Sequence, residues 1–464
     1  MSRFYSLTAL VAALQLWLAH HYYGFLTGDE VEVLGEAFRL ATGFDYGTWD
    51  VRNTFVADVF VAPLIWLATH LGITNASTLI VIATIPFALA SALTIVLVHR
   101  LALRWTGTPA SPPAGQAPSR RHGGETPPAQ PPGRRRAAMV ATIIFALHWL
   151  PLGFGSTTYP RVIAMCCIVA AALLVERHAF IAGALIGVAF ADRYSEIVYL
   201  VPLLIVARRH AWKVALGALA SIAIVVGVFD WIRWGEPFGS LRKFAQLTLV
   251  ERDFASRVKW QSPLWYLETL PRWCALTLLP FFWTAAARPP LSKAAARPPQ
   301  STWFVLIPLA LLSLIAHKEL RYLQGIIPFL AILAGIGFIH IQKNLAYALL
   351  AISLAWNLWG LRFLERESRP AVAAARMLGA DPHARTIAIS QPWACGDKLY
   401  LTRGAKAIEL GTPPQHLDEI LRQADAVIIY ESDVTPEVAA KLAAFKRAGV
   451  FRAKRARDVV VYRR

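Results

Sequence analysis

The sequence predicts a polytopic α-helical membrane protein with a small α/β domain at its carboxyl end. Of the 464 residues, 56% are hydrophobic, only 16% are charged, and the mean hydropathy is +0.45, which is unusual for a soluble globular protein. Long apolar runs recur up to about residue 360, and after residue 364 short apolar strands alternate with amphipathic helices. We therefore predict a transmembrane domain over 1–364 and a soluble α/β domain over 365–464.

Apolar runs define the predicted membrane domain. A helix needs about 20 apolar residues to cross a bilayer, and several runs are shorter, so we expect about 10–13 transmembrane helices. No small-x-small cleavage site follows the first run, which predicts a retained signal-anchor helix. The runs lie at 4–20, 55–73, 78–99, 138–154, 160–176, 179–191, 195–207, 212–232, 273–286, 303–316, 322–340 and 344–360.

Charge and cysteine content exclude two classes of protein. The formal charge is +18, but the basic residues gather at the ends of apolar runs and in loops and do not form one amphipathic face. This distribution indicates contact with membrane lipids and predicts no nucleic-acid partner. Three of the four cysteines, Cys166, Cys167 and Cys274, lie in apolar runs, so the sequence contains no disulfide framework.

A basic, Pro/Gly-rich segment interrupts the apolar pattern at 106–136. Its composition predicts a disordered loop without a catalytic role. With the amino terminus inside, two full crossings by 55–73 and 78–99 put this loop outside, against the positive-inside rule. Either one of the two runs does not fully cross the membrane, or the long loop escapes the rule.

The carboxyl-terminal pattern predicts strands and helices without chemistry of their own. The segments RTIAIS (385–390), DAVIIY (425–430) and VVVYRR (459–464) are typical of buried strands. Between them, PQHLDEILRQA (414–424) and PEVAAKLAAFKRAG (436–449) have the pattern of amphipathic helices. Because neither a Gly-rich phosphate loop nor a metal-spaced His/Cys set is present, we assign this domain no catalytic residue.

The loop over 21–54 contains the first candidate catalytic residues, Asp29 and Glu30. Two adjacent acids at the mouth of a membrane span are costly unless water solvates them or the protein uses them. The following residues, 29–40, have the spacing of a short interfacial helix. Its predicted faces are apolar toward lipid or protein (Val31, Leu34, Phe38) and polar toward water (Glu32, Glu36, Arg39).

The segment AHKELRYLQ at 316–324 places four charged or titratable residues between two apolar runs. His317, Lys318, Glu319 and Arg321 lie within five positions. Basic residues at the end of a span often only mark a boundary or extend to lipid head groups. An acid within the set and a second charged motif far away in the sequence favour a binding site over that simpler interpretation.

Several motifs in order resemble glycosyltransferase family 22, the polyprenyl-phosphate-mannose-dependent mannosyltransferases of the glycosyltransferase-C superfold. The resemblance covers most of residues 1–360 and departs from the family pattern before GDE, after TWD and at Ser262, Pro263 and Leu264. The matching segments are GDE (28–30), TWD (48–50) followed by Arg52, DWIRWGEPFGSLRKFAQLTL (230–249), SPLWYL (262–267) and HKELRY (317–322).

This resemblance implies transfer of a hexose, in this family mannose, from a polyprenyl-phosphate donor to a glycan or glycolipid acceptor. Asp29, beside Glu30, is then the base that takes the acceptor proton, and Lys318 with Arg321 holds the donor phosphate. His317 is expected to donate a hydrogen bond to that phosphate, and Glu319 to orient Arg321 or Lys318. The residues expected to line the substrate are Trp49, Arg52, Arg161, Arg193, Trp265 and Tyr266.

The polar junctions at 156–164 and 191–200 have an alternative interpretation, because Arg161 and the charges around Arg193 are also typical of paired boundary charges. No cofactor and no metal is assigned. We expect a bacterial inner-membrane enzyme with its site on the periplasmic side.

A transporter or lipid-linked sugar flippase is the alternative class, since it also has many spans and buried charges. The lack of an evident internal repeat and the position of the acids in a loop count against it. A membrane anchor for the carboxyl-terminal domain would need neither Asp29 nor the charges at 317–321.

Overall fold

The computed structural model shows a mainly helical chain with one mixed β-sheet near the carboxyl end. It describes residues 2–22, 28–44, 52–106, 131–250, 260–286, 299–365, 368–395, 398–401, 405–411, 413–452 and 457–464.

Helices form wherever the sequence predicts an apolar run. The α-helices are α1 (Ser2–Tyr22), α2 (Gly28–Thr42), α3 (Ala62–His70), α4 (Ala76–Trp105), α5 (Pro132–Ala146), α6 (Trp149–Phe154), α7 (Arg161–Leu174), α8 (Ala179–Asp192), α9 (Leu200–Ala207), α10 (Ala211–Ile222), α11 (Phe229–Trp234), α12 (Gly239–Ala245), α13 (Trp265–Glu268), α14 (Leu270–Trp273), α15 (Leu279–Ala286), α16 (Gln300–Ser313), α17 (Ile327–Phe338), α18 (Lys343–Gly360), α19 (Ser368–Gly379), α20 (Leu417–Gln423) and α21 (Pro436–Lys441). Shorter 3₁₀ and π-helical turns lie at Ala57–Val61, Tyr194–Tyr199, Arg208–His210, Ala223–Val228, Gln246–Val250, Leu276–Leu278, Leu320–Leu323, Leu361–Glu365, Pro392–Cys395, Glu431–Asp433 and Leu442–Ala444.

Among the described residues, three helical stretches have the length and hydropathy to cross a membrane, namely Ala76–Trp105, Tyr194–Trp234 and Lys343–Gly379. The second is interrupted at Arg208, whose φ of 50° lies in the left-handed region. Six apolar helices of 10–17 residues accompany them, at Ala57–His70, Arg161–Leu174, Ala179–Asp192, Leu276–Ala286, Gln300–Ser313 and Ile327–Phe338. This set supports a multi-pass membrane protein, and the expected 10–13 crossings stay a prediction.

Two compact units divide the chain, and the predicted domain boundary at 364/365 does not coincide with their division. The first unit comprises Met1–Val11, Ala90–Leu152 and Arg161–Gly360. The second comprises Ala12–Leu89, Gly153–Pro160 and Leu361–Arg464, so the carboxyl-terminal residues group with part of the predicted membrane domain. The boundary of an independent soluble domain therefore stays a prediction.

Helices α8 and α10 approach each other closely in the first unit. A Cβ atom on Gly183 would lie 1.9 Å from the carbonyl oxygen of Val214, and one on Gly217 would lie 2.0 Å from that of Phe180. Small residues at such crossings allow the backbones of apolar helices to pack against each other where the hydrophobic effect between helices is weak. The two glycines are therefore required by close packing.

The second unit contains a five-stranded sheet of order β2-β1-β3-β5-β4. Strands β1, β2 and β3 are parallel, whereas β5 pairs antiparallel with both β3 and β4. Apolar side chains of the sheet, of α20 and of adjoining segments form its core, among them Val427 in β3, Leu421 in α20 and Phe445 just before β4. The strands are β1 (Thr386–Ile389), β2 (Lys406–Glu409), β3 (Ala426–Tyr430), β4 (Lys446–Phe451) and β5 (Val459–Arg463).

All three predicted strands of this sheet are present, but the predicted helix over 436–449 is partly wrong. Its α-helical part ends at Lys441, and Lys446–Phe451 is strand β4, paired with β5 across an irregularity at Arg447 and Gly449. Tertiary pairing here overrides the helix propensity of an Ala-rich sequence. The helix predicted over 414–424 begins only at Leu417, because His416 has a left-handed φ of 50°.

The basic segment predicted as a loop over 106–136 ends earlier than expected. Helix α5 begins at Pro132, so Arg134, Arg135 and Arg136 belong to its first turns. Proline suits the first turn of a helix, where its missing N–H group has no intrahelical acceptor. Residues 107–130 lie outside the described residues.

We predict that Gly183→Ala and Gly217→Ala each lower the stability of the detergent-solubilised protein by about 1–3 kcal/mol, because a methyl group would force the α8 and α10 backbones apart. Thermal unfolding followed by circular dichroism measures this loss. Gly133→Ala is the matched control, since nothing lies within 4 Å of a Cβ atom at that position. Equal unfolding temperatures for the three variants would contradict the assignment.

Candidate active site

The amino-terminal turn of α2 positions Asp29. Its carboxylate is 12% exposed, and its Oδ1 lies 3.7 Å from Nη2 of Arg52, whose Nε lies 3.4 Å from Oε2 of Glu32. A carboxylate in the first turn of a helix interacts favourably with the positive end of the helix dipole. Asp29 is therefore held in place while it stays accessible, as a general base must be.

Glu30 has a different environment from its neighbour, because it is fully buried. Its Oε1 accepts a hydrogen bond from the Thr157 hydroxyl at 3.4 Å, and its backbone carbonyl accepts one from the Thr158 hydroxyl at 3.2 Å. All three residues belong to the second unit. The contacts fix the start of α2 against the segment Gly153–Pro160, which suits a positioning role for Glu30 better than direct proton transfer.

The prediction that the polar face of α2 points to water is wrong for Glu36. This residue is 3% exposed, and its Oε1 forms an ion pair with Nη2 of Arg39 at 2.6 Å. Burial raises the pKa of the Glu36 carboxyl, and the Arg39 guanidinium opposes only part of that rise. The helix is packed on both faces, because Val31, Leu34 and Phe38 are buried as expected.

The charged segment His317–Arg321, which we call the 317–321 cluster, is organised by Glu319. One carboxylate oxygen of Glu319 lies 3.2 Å from Nε2 of His317, and the other pairs with Nε of Arg321. Of the two expected partners for Glu319, the structure shows the contact with Arg321. If Nε2 of His317 donates to Glu319, its Nδ1 is an acceptor in the neutral ring, so His317 can donate to a phosphate only as an imidazolium.

Lys318 is buried, with 3% exposure, and its ammonium donates to two backbone carbonyls. The acceptors are the carbonyl oxygens of Gln261 at 3.0 Å and Ile315 at 2.5 Å. Burial lowers the pKa of this lysine below its ordinary value. An ammonium has three N–H donors, so among the described residues one donor of Lys318 stays available for an anionic ligand.

Arg161 and Glu196 form a buried ion pair between two junctions that the sequence flagged separately. Arg161 is 5% exposed and Glu196 is 3% exposed. Nη1 of Arg161 pairs with Oε1 of Glu196, and Nη2 donates to the Ser195 hydroxyl at 2.8 Å. The guanidinium also lies over the Tyr322 ring, 4.5 Å from its centre, which joins this pair to the segment that carries the 317–321 cluster.

Tyr266 and Tyr199 lie against the segment that carries the 317–321 cluster and the residues after it. The Tyr266 hydroxyl donates to the backbone carbonyl of Glu319 at 3.4 Å, and burial raises the pKa of this phenol, which keeps it a donor. A Cβ atom on Gly325 would lie 2.6 Å from the Tyr199 hydroxyl, so that hydroxyl lies against the backbone after Gln324. We call the set Arg161, Ser195, Glu196, Tyr199, Tyr266, Glu319 and Tyr322 the junction cluster.

Of the other residues predicted to line the substrate, Trp265 and Arg193 are described and Trp49 is not. Trp265 packs against Tyr266 with ring centres 5.2 Å apart, and Arg193 is 5% exposed at the end of α8. Trp49 lies outside the described residues. Asp29 and Arg52 belong to the second unit and the 317–321 cluster to the first, so each half of the predicted site is described within its own unit.

Sequence reasoning missed three residues that lie in or beside the junctions. Tyr322, Tyr199 and Gln324 are single aromatic or amide residues beside apolar runs, and such residues are usually structural. The signal that could have found them is the recurrence of a short polar junction with an aromatic residue at 156–164, 191–200 and 316–324. Within the described residues, no three His, Cys, Asp or Glu side chains are arranged to hold a metal ion.

Comparison with known proteins adds information on family and fold. The profile of the Alg9-like mannosyltransferase family matches residues 7–365. No curated protein matches the sequence.

Solved structures of two transferases resemble the chain. ArnT from Cupriavidus metallidurans bound to undecaprenyl phosphate has 14% sequence identity and a TM-score of 0.60, covering 99% of this chain and 97% of ArnT. Apo ArnT has a TM-score of 0.59 at 14% identity, covering 98% and 97%. The arabinosyltransferase EmbB from Mycobacterium smegmatis has a TM-score of 0.43 at 13% identity, covering 82% and 34%. The similarity to ArnT, a glycosyltransferase-C protein, shows the fold.

We predict that Glu196→Gln lowers the free energy of unfolding by about 3–5 kcal/mol, because it leaves the buried Arg161 charge without its counterion. Glu176→Gln is the matched control, since Glu176 pairs with Arg104 in the same unit but its side chain is 45% exposed. An exposed pair contributes about 0–1 kcal/mol. Chemical denaturation in detergent measures both values, and equal losses would contradict the structural role of the buried pair.

Proposed function

The chain belongs to the Alg9-like mannosyltransferase family, and we propose that it transfers mannose from a polyprenyl-phosphate donor to a hydroxyl group of a glycan or glycolipid acceptor. That it is a multi-pass membrane glycosyltransferase follows from the family and the apolar helices. The sugar, the donor lipid and the acceptor class are the proposal. The observation that carries it is the buried Lys318 ammonium with an available N–H donor, within a segment that resembles a motif of this family.

In the proposed reaction, the acceptor oxygen forms a bond to the anomeric carbon of the sugar. The bond from that carbon to the phosphate oxygen breaks, and the electron pair leaves with polyprenyl phosphate. Asp29 takes the proton of the acceptor hydroxyl as the new bond forms. Atoms and charge balance without a cofactor. Asp29 loses its negative charge when it takes the proton, and the departing polyprenyl phosphate gains one negative charge.

Asp29 suits the base role better than Glu30 because of exposure. Its carboxylate is 12% exposed and its ion-pair distance to Arg52 is 3.7 Å, so an acceptor hydroxyl has access to it. Glu30 is fully buried beneath the Thr157 and Thr158 hydroxyls. We assign Glu30 to holding the first turn of α2, and thereby Asp29, in place.

Lys318 and Arg321 suit the phosphate role for complementary reasons. Lysine provides a compact charge, and arginine a planar set of donors that fits phosphate oxygens. Glu319 holds Nε of Arg321, which orients the remaining guanidinium donors. Stabilisation of negative charge on the departing oxygen by fixed donors is often the largest single contribution to such catalysis.

The fold supports a polyprenyl-phosphate donor. ArnT, which shares the fold over nearly its whole length, was crystallised with undecaprenyl phosphate. The alternative class, a transporter or flippase, would bind a similar lipid but would release it chemically unchanged. The family membership favours transfer over transport.

The proposed orientation places the loop before α3 on the periplasmic side of a bacterial inner membrane. The helix Ala57–His70 spans about 21 Å at 1.5 Å per residue, shorter than a hydrocarbon core of about 30 Å. This length favours the alternative in which the run at 55–73 does not fully cross. Helix α4 then returns the chain to the cytoplasm, and the basic segment that follows it obeys the positive-inside rule.

We predict that Asp29→Asn reduces transfer of label from radiolabelled polyprenyl-phosphate mannose at least about 100-fold, since general-base catalysis contributes about 10²–10⁴-fold. The elution volume on size exclusion and the unfolding temperature should stay unchanged. Asp418→Asn is the matched control, because the Asp418 side chain is 71% exposed on the carboxyl-terminal part of the chain. Transfer that survives both Asp29→Asn and Lys318→Ala would show that the assignment is wrong.

We predict a pH dependence of donor binding that comes from Lys318. Its ammonium is charged below a pKa that burial lowers, so donor affinity should fall as pH rises through that value. The donor KM, measured between about pH 7 and pH 10, should rise more steeply in the wild type than in Lys318→Arg, because a guanidinium stays charged over this range. Identical slopes for the two proteins would remove Lys318 from the phosphate site.

A further inference from the structure

A buried side-chain amide lies three residues beyond Arg321, and the described structure offers it no hydrogen-bond partner. Gln324 is 0% exposed. Neither its Nε2 nor its Oε1 has a hydrogen-bond partner among the described residues. Native proteins satisfy the large majority of buried polar atoms, so an amide with two unmet groups needs an explanation, and a bound ligand is one.

Backbone geometry relates Gln324 to the proposed phosphate residues. The segment Leu320–Leu323 is a 3₁₀-helix, and the Gln324 N–H donates to the Arg321 carbonyl at 3.3 Å. Side chains three residues apart eclipse each other in a 3₁₀-helix, so Arg321 and Gln324 project from the same side of the turn. The Gln324 amide therefore lies one 3₁₀ turn after Arg321, the cation proposed to hold the phosphate.

Tyr199 provides a second unmet polar group in the same place. Its hydroxyl is buried without a hydrogen-bond partner among the described residues, and its side chain is 0% exposed. The hydroxyl lies against Gly325, where a Cβ atom would come within 2.6 Å of it. Glycine at this position lets the phenol approach the chain at the residue next to Gln324, so the two unmet groups belong to neighbouring parts of the structure.

The chemistry of these groups matches sugar hydroxyls better than an ionised phosphate, because the Gln324 amide oxygen needs a donor and such a phosphate offers only acceptors. An amide has two N–H donors and an acceptor oxygen, and a phenol has one donor and one acceptor, all without net charge. The nearby charge of Arg161 is already matched by Glu196. Neighbouring hydroxyls on a sugar ring likewise each donate and accept.

We propose that Gln324 and Tyr199 form the subsite that binds hydroxyl groups of the donor's sugar, next to the phosphate held by Lys318 and Arg321. This inference rests on the proposed function and goes further, because it separates recognition of the sugar from recognition of the lipid phosphate. Gly325 is part of the subsite, since any side chain there would displace Tyr199. Specificity for the sugar then depends on these two uncharged side chains.

Binding of two lipids to the purified full-length protein tests the subsite. The probes are polyprenyl-phosphate mannose and polyprenyl phosphate without sugar, and the variants are Gln324→Leu and Tyr199→Phe. Gln324→Leu should raise the Kd for the sugar-bearing lipid about tenfold, the loss of one or two neutral hydrogen bonds, and leave the Kd for the bare phosphate unchanged. Tyr199→Phe removes a single oxygen, keeps the ring, and should act in the same direction.

Asn357→Leu is the matched control for replacing a buried amide. Asn357 is 1% exposed in the first unit, and its Nδ2 donates to the Ser353 carbonyl at 2.9 Å within α18. The ratio of the two Kd values should equal that of the wild type in this control. A wild-type ratio in both Gln324→Leu and Tyr199→Phe would overturn the subsite and indicate that water alone satisfies these groups.

Two further outcomes separate this inference from the proposed function. An equal loss of affinity for both lipids in Gln324→Leu and Tyr199→Phe would overturn the sugar subsite and leave the donor site intact. If the wild type binds neither lipid, the proposed function fails and the subsite with it. If Gln324→Leu does not fold, the Kd ratio of Tyr199→Phe decides the question.

Discussion

The buried ion pair between Arg161 and Glu196 is the interaction on which the candidate site depends. An isolated charge cannot be buried among apolar helices at a tolerable free energy, so the two residues have to meet. Their meeting brings together the start of α7 and the turn before α9. Because the Arg161 guanidinium also covers the Tyr322 ring, the segment with the 317–321 cluster is fixed to the same place.

The fold was largely predictable because hydropathy determines where membrane helices form. Every apolar run contains a helix, and the family match confirms the resemblance that GDE and HKELRY indicated. The predictions that were wrong concern two short segments. The segment Lys446–Phe451 forms a strand because β5 offers it backbone partners, and Glu36 is buried because α2 packs on both faces. Neither partner is visible in the local pattern.

The site was predictable residue by residue but not in its contacts. The sequence identified Arg161, Lys318 and Glu319 as candidates, yet it gave no pairing between junctions that lie more than 100 residues apart along the chain. Contacts such as that of Tyr199 with Gly325 depend on helix packing, which periodicity does not encode. The proposed division of roles rests on charge and exposure: charged groups suit the phosphate, uncharged buried groups suit the sugar, and an accessible carboxylate suits the acceptor hydroxyl.

The position of the donor phosphate tests this account most directly. A cryo-electron microscopy structure of the full-length protein with polyprenyl-phosphate mannose would show it, and the account predicts phosphate oxygens within hydrogen-bonding distance of Lys318 Nζ and the Arg321 guanidinium. A donor phosphate bound elsewhere, with no contact to either side chain, would contradict the account.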